Sequence, residues 1–288
     1  MRIRFLMQVA AAAAAVCLTL VLPARGGATI YVNGANTGPE DGATLETGWS
    51  TIAEGLGALA ASNAVSQGGH TVVIAPGIYP GDIALDAAHA GIEGATNRVA
   101  ATPGTVTLVG GSYGVSVNTG GRAYLVIEGL RVTQSANDGI YVMSSRDVTI
   151  RDCAVYAVLN ASNGHGHGIY IGGANTTLYG EVLIDRCTVY GNAVHGIRQT
   201  YNARIRVRNS AVVNNNGFGV CEWHGNGWEV VLENNNEYGN GLGNFRDTQT
   251  GRRQTPEEMN SVGGCFGNLS DDPRFAALAD DWTFGTVY

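Results

Sequence analysis

Residues 182–207 read VLIDRCTVYGNAVHGIRQTYNARIRV. Val182-x-Ile184 opens on period-2 alternation, Ile197 follows Ile184 after 13 residues, and Ile205-x-Val207 begins the pattern again. Alternation of this kind puts one set of side chains in a core and the other outside. The same pairing of apolar residues runs outward in both directions, as Ile127/Ile140, Ile150/Ile169, Val207/Val220 and Leu232/Phe245. The first members, Ile127, Ile150, Ile184, Val207 and Leu232, lie 23, 34, 23 and 25 residues apart. A repeat this short leaves no room for a strand–helix–strand crossover of roughly 30 residues. It predicts an all-β solenoid of short strands joined by turns, with equivalent residues stacked about 4.8 Å apart.

Three ladders fix the register. The residue after each first apolar position runs Glu128, Arg151, Asp185, Arg208, Glu233, alternating in sign, so stacked coils would pair these charges along an outer face. Eight residues after the apolar position come Asn192, Asn215 and Asn240, with Ser135 in an earlier coil, an amide ladder at a turn. Three residues after it come Leu130, Cys153, Cys187 and Ser210, which should face inward and make Cys153 and Cys187 core thiols rather than a disulfide. Thr71 to Ile74 and Val106 to Val117 are the expected strands of earlier coils.

Composition narrows the chemistry. Gly makes up 42 of 288 residues against 7 Pro, about twice the usual Gly share of ~7%, and without the three-residue period of collagen. There is no Lys, so all 17 basic residues are Arg, which removes every mechanism needing a lysine base, a Schiff base or a P-loop lysine. A net charge of -7 excludes a general nucleic-acid binder. Arg2 and Arg4, the apolar run from Phe5 to Leu22 and the small-residue stretch Pro23 to Ala28 read as a signal peptide over residues 1–28, favoured over a retained anchor. The expectation is a secreted protein, extracellular or periplasmic, monomeric, with no stable membrane insertion once the signal is removed. Residues 29–288 form one domain: strand and cap over 29–70, coils over 71–245, and a C-terminal segment over 246–288. No CxxC spacing suggests zinc, and Cys221, expected to point outward, is either free or bridged to Cys265.

This pattern resembles the right-handed parallel β-helix family, the pectin-lyase-like fold, over most of the chain beyond the signal. Tyr31-Val-Asn-Gly, an Asp/Gly-rich turn, Trp49-Ser-Thr-Ile-Ala-Glu-Gly-Leu and Thr71-Val-Val-Ile-Ala-Pro-Gly-Ile-Tyr79 are similar to the opening of secreted members. Thr51 to Ala61 has helical apolar spacing at Ile52, Leu56 and Leu59. The resemblance implies that this helix caps the open end, which would otherwise expose core and strand edges. Asp271-Asp-Pro-Arg-Phe275 and Asp281-Trp-Thr-Phe resemble a C-terminal segment that usually continues further, which implies truncation.

Departures from regularity carry the candidate chemistry. The step from Ile150 to Ile169 is 19 residues, and the extra length holds Asn160-Ala-Ser-Asn-Gly-His165-Gly-His167-Gly168. Aligned on the Gly before each second apolar residue, the preceding residues are Tyr113, Asp138, His167, His195 and Phe218; those after the apolar residue are Ser116, Tyr141, Tyr170, Arg198 and Cys221. Three coils would thus show Asp138/Tyr141, His167/Tyr170 and His195/Arg198 as adjacent columns, with His165 beside them and Glu222, Trp223 and His224 at the border. Cleaving an acidic, uronate-containing polysaccharide by β-elimination needs a base for the C5 proton, a cation for the carboxylate and an acid for the leaving oxygen; epimerisation uses the same groups. The expected catalytic set is Asp138, His167, Tyr170, His195 and Arg198, with Asp138 orienting the His167 imidazole and raising its pKa. Tyr141, His165, Arg206, Glu222, Trp223 and His224 are expected to bind substrate, with Tyr141, Tyr170 and Trp223 stacking on sugar rings. The rival expectation is a non-catalytic glycan-binding, adhesin or structural solenoid in which the histidines form a plain turn ladder.

Asn137-Asp138-Gly139-Ile140 and Gly166-His167-Gly168-Ile169 resemble polygalacturonase motifs, which would imply a hydrolase with Asp138 as a catalytic carboxylate and His167 in support. That family has an Asp-Asp pair between the motifs, where this chain has the separated Asp147 and Asp152, and Arg204-Ile-Arg206 only approximates its Arg-Ile-Lys. Metal-dependent lyases of the fold often pair a Lys or Arg base with Ca²⁺. No acidic cluster here forms a calcium cage, so the sequence requires no cofactor or metal, and Ca²⁺ is the one ion the resemblance admits.

Overall fold

The computed structural model describes residues 26–160, 164–173, 180–201, 203–223, 230–248 and 251–273. Most of the expected signal segment, His224 and the stretch from 274 onward lie outside the described residues. Three sheets form the walls of a solenoid. The first face runs through eight strands from Thr29–Val32 to Val230–Glu233, and the second through seven from Gly77–Pro80 to Asn236–Tyr238. The third runs from Ile83–Asp86 to Gly243–Asp247 and ends in the antiparallel strand Gly251–Arg253. All other pairings are parallel. Ile127, Ile150, Ile184, Val207 and Leu232 stack on the first face, and Ile140, Ile169, Ile197, Val220 and Phe245 on the third, in the expected register. All of them are buried.

At the start of the third-face strands the coil spacing itself demands glycine. A Cβ on Gly139 would lie 2.6 Å from the Gly168 carbonyl oxygen, and on Gly168 2.8 Å from that of Gly196. Gly196 and Gly219 meet the next coil at 2.7 and 2.6 Å. The backbones approach too closely for any side chain, which is the reason for Gly here rather than a left-handed turn.

The ladders form. Asn192 Nδ2 donates to Asn215 Oδ1 at 2.9 Å, and Asn215 Nδ2 to Asn240 Oδ1 at 3.0 Å. Asn215 Oδ1 also accepts the Asn192 backbone N–H at 3.1 Å. Asn215→Ala would leave the buried Asn192 N–H without its acceptor and take one bond each from Asn192 Nδ2 and Asn240 Oδ1, so a drop of about 2 kcal/mol is expected in urea unfolding. A change under ~0.5 kcal/mol would contradict this role. On the first face Glu128 pairs with Arg98 and Arg151, and Asp185 pairs with Arg208 at 3.0 Å. The inward column of Cys153, Cys187 and Ser210 continues to Asn235 and Asn268, which form a second amide ladder at 3.1 Å.

The helix spans Ile52–Val65, capped by Thr51, whose side chain accepts the Glu54 N–H. Leu56 and Leu59 join Ile30 and Val32 in the core, closing its N-terminal end. All four described cysteines are free and buried. Cys153 and Cys187 are core thiols. Cys221 corrects the sequence expectation of an exposed thiol. It stands in the outward column between Arg198 and Arg246 yet is fully covered, and burial pushes its pKa up to about 11. Cys265 lies in the core beneath the first face, so the two do not bridge. Among the described residues no helix is long and apolar enough to cross a membrane.

Candidate functional site on the third face

Asp138, His167 and His195 do stack on successive coils, but as buried acceptors rather than open columns. Asp138 Oδ1 accepts the His167 backbone N–H at 3.0 Å, His167 Nδ1 accepts that of His195 at 3.3 Å, and His195 Nδ1 accepts that of Phe218 at 2.9 Å. Asp82 does the same for Tyr113 at 3.1 Å. His167 Nε2 lies 3.0 Å from the Gly164 carbonyl and 2.9 Å from Arg198 Nη1, so both ring nitrogens are engaged. Burial, then His195 and Arg198, hold the His167 pKa down to about 3. Burial, then Arg198 and Arg246, hold His195 at about 4. The expected raising of His167 by Asp138 is therefore reversed, because the carboxylate bonds its backbone instead of its ring.

The imidazole that Asp138 holds belongs to His165. Asp138 Oδ2 meets His165 Nδ1 at 2.8 Å, and the His165 side chain is 29% exposed while the carboxylate is fully buried. Burial pushes the Asp138 carboxyl above its ordinary range, against the lowering pull of His165 and the His167 and Gly166 N–H groups. Both neighbours of His165 are left-handed glycines, with φ of 79° at Gly164 and 99° at Gly166. Gly166 donates to the Asn137 carbonyl at 2.9 Å, and the Gly164 carbonyl accepts from Arg198 Nη1 at 3.1 Å. One short loop thus carries the imidazole that Asp138 holds and, one residue before it, the carbonyl that Arg198 holds.

Above them runs a column of flat side chains. Tyr113 and Tyr141 stack at 4.6 Å between centroids, and Tyr141 and Tyr170 at 5.1 Å. Arg198 lies 5.8 Å from the Tyr170 ring and 4.8 Å from Trp223, and Arg246 lies 4.4 Å from Trp223. The tyrosine faces are spent on one another, so the expected stacking on sugar rings is replaced by presentation of ring edges. The Tyr170 hydroxyl is buried and bonded to Thr200 Oγ1 at 2.8 Å, which removes it from the exposed acid–base groups. Tyr141 stays half-buried, and burial followed by Tyr113 pushes its pKa up to about 12. Trp223 is 39% exposed, at the Arg198–Arg246 end of the column.

Two expected binders face elsewhere. Arg206 lies on the first face, paired with Glu181 at 3.1 Å and with Glu233. Glu222 points inward and is buried, its Oε2 accepting the Thr248 N–H at 3.1 Å. Asp147 and Asp152 also belong to the first-face side, facing Arg122 at 3.6 Å and Arg186 at 2.7 Å, so they supply no second carboxylate beside Asp138. Among the described residues no three His, Cys, Asp or Glu gather as a metal site, and the residues present do not fit a calcium cage. Arg246 was not singled out from the sequence. It is the next residue of the Tyr141–Tyr170–Arg198–Cys221 column, one coil beyond the alignment that found the others.

The profile described as "Right handed beta helix region" matches residues 90–245, over half of the chain. The chain belongs to the right-handed β-helix family. Solved β-helix structures similar to it include pectate lyase Pel9A, 14% identical over 75% of this chain and 67% of that one, with a TM-score of 0.49. Pectin methylesterase PemA from Erwinia chrysanthemi is 11% identical, with 88% and 91% covered and a TM-score of 0.49. An alginate lyase from Paenibacillus sp. str. FPU-7 is 15% identical, with 84% and 95% covered and a TM-score of 0.43. At these values the likeness extends to the coiled architecture alone. No curated protein sequence matches this β-helix chain.

Proposed function

We propose that this β-helix protein acts on an acidic, uronate-containing polysaccharide by β-elimination or epimerisation, with His165 as the proton-transfer group. The observation that carries this is the partly exposed His165 imidazole, held by buried Asp138 on a loop whose Gly164 carbonyl binds Arg198. With Nδ1–H donated to Asp138, Nε2 is the free lone pair. In elimination it takes the C5 proton while Arg198 pairs with the carboxylate and stabilises the enolate-like charge. The electron pair forms the C4–C5 double bond, the C4–O bond breaks, and the leaving oxygen takes a proton. Tyr113 and Tyr141 are the neighbouring donors, since burial keeps both phenols neutral. In epimerisation His165 keeps the abstracted proton, a second proton reaches the other face of C5 from a tyrosine hydroxyl or water on that side, and the chain stays intact. A protein with this substrate is exported, and we place residues 1–28 as its cleaved signal and the mature chain as a monomer.

The test is incubation with pectate, alginate and glycosaminoglycan polymers, with added Ca²⁺ and with a chelator. Ultraviolet absorbance reports unsaturated uronate ends, and sugar analysis reports epimerisation. Product from at least one polymer is expected; no product and no binding across the panel would contradict the proposal. The engagement of His167, His195 and Tyr170 in backbone and buried contacts favours one second reading, a glycan-binding protein without turnover. Binding with no product in either assay would select it.

A further inference from the structure

We propose that Arg198, Trp223 and Arg246 form a strip that binds two carboxylates of an extended polyuronate, with Arg246 as a second substrate-binding arginine two coils beyond Arg198. This rests on Arg198 as the uronate binder. On the first face Arg98, Arg151, Arg186, Arg206 and Arg208 are each paired with a carboxylate. Among the described residues no carboxylate forms an ion pair with Arg198 or Arg246, although the chain carries a net charge of -7. Both cations also bear on the His195 imidazole. Two like charges left together beside one aromatic ring repel, and an anion relieves that repulsion.

The geometry shows how the anion would be held. Arg198, Cys221 and Arg246 occupy one outward column, so the two arginines are two coil steps apart, about 9.6 Å. Their guanidinium carbons lie 4.8 and 4.4 Å from the Trp223 centroid, which places the indole between them. Each guanidinium lies over the indole, and Arg198, whose Nη1 is bonded to the Gly164 carbonyl, keeps Nη2 for a carboxylate oxygen. From the Asp138 coil to the Arg246 coil there are four steps, about 19 Å along the solenoid. A single uronate cannot span that distance. A chain of pyranose rings, each about as long as a coil is high, spans it with the His165 end at one terminus and Arg246 at the other.

The experiment is calorimetric titration of the His165→Ala protein, which holds substrate without turnover. The probes are oligogalacturonates, oligomannuronates and oligoguluronates of two and six residues. The hexamer of the preferred sugar is expected to bind at least ~10-fold tighter than the dimer. Arg246→Gln is expected to remove about tenfold of the hexamer affinity, one carboxylate contact, and to leave the dimer unchanged. The unchanged dimer also shows that the variant is folded. An unchanged hexamer overturns the strip while Arg198 and the proposed activity stand. Equal losses for dimer and hexamer overturn it as well, because Arg246 then acts on the Arg198 subsite. Failure of every oligouronate to bind overturns the activity itself.

Discussion

His165→Ala is expected to lower kcat on the uronan substrate by about 10²–10⁴-fold, the usual worth of a positioned acid–base group. KM should change little, because Arg198 and the column beyond it remain. Asp138→Asn should act in the same direction and shift the acid limb of the pH–rate profile, since the amide no longer offers Nδ1 a charged acceptor. His167 gives the contrast. Its ring is buried, neutral down to about 3, and bonded on both nitrogens. His167→Asn should therefore lower the urea midpoint while the surviving folded protein turns over at a rate within a few-fold of wild type. A His167 variant that folds normally and loses ~10²-fold in kcat, with His165→Ala fully active, would reverse the two assignments.

Wild-type stability should fall as pH rises from about 6.5 to 8, and Glu237→Gln should remove much of that fall. Glu237 continues the inward column Val132, Val155, Val189, Val212 and is fully buried. Neither carboxylate oxygen has a hydrogen-bond partner. Burial pushes its pKa from 4.5 up to about 8. The folded state thus keeps a proton that the unfolded chain releases above 4.5, so stability is intact below 4.5 and drains until the folded group also ionises near 8. At about 1.4 kcal/mol per pKa unit the loss is of the order of a few kcal/mol. Asp138 and Glu222 are raised by burial too and share the sign, so the readout is the difference between wild type and Glu237→Gln. His167 and His195 act at lower pH, where their suppressed protonation costs stability as pH falls below 6.5. Urea midpoints at pH 5 and pH 8.5 should diverge between the two proteins; parallel midpoints would show that Glu237 is ionised or solvated in the folded state.

What was legible follows from where the repeat speaks. The first and third faces were readable because their parallel strands run four to seven residues, enough to show alternation, and the stacked Ile, Asn and charge positions then set the register. The second face was harder, since strands such as Ala154–Tyr156 and Thr188–Tyr190 show one inward side chain each. Membership of the site's face was also legible, for Asp138, Tyr141, Tyr170, His195 and Arg198 all fall on the third wall. Depth was not. A residue before Gly at a coil corner can aim out or fold back onto the next N–H, and only the fold-back satisfies a buried donor. That choice buried His167 and His195 and left His165, on the irregular loop, as the partly exposed imidazole. Arg206 was misplaced because chain proximity to Arg198 hides a corner between the first and third faces.

The most direct test is a crystal structure of the His165→Ala protein with a bound uronate hexamer. The expected result is a sugar chain along the third face, with one carboxylate on the Arg198 guanidinium and the C5–H of that sugar turned toward the space left by the imidazole. A hexamer seated on the first or second face, or one whose C5–H points away from residue 165, would contradict it.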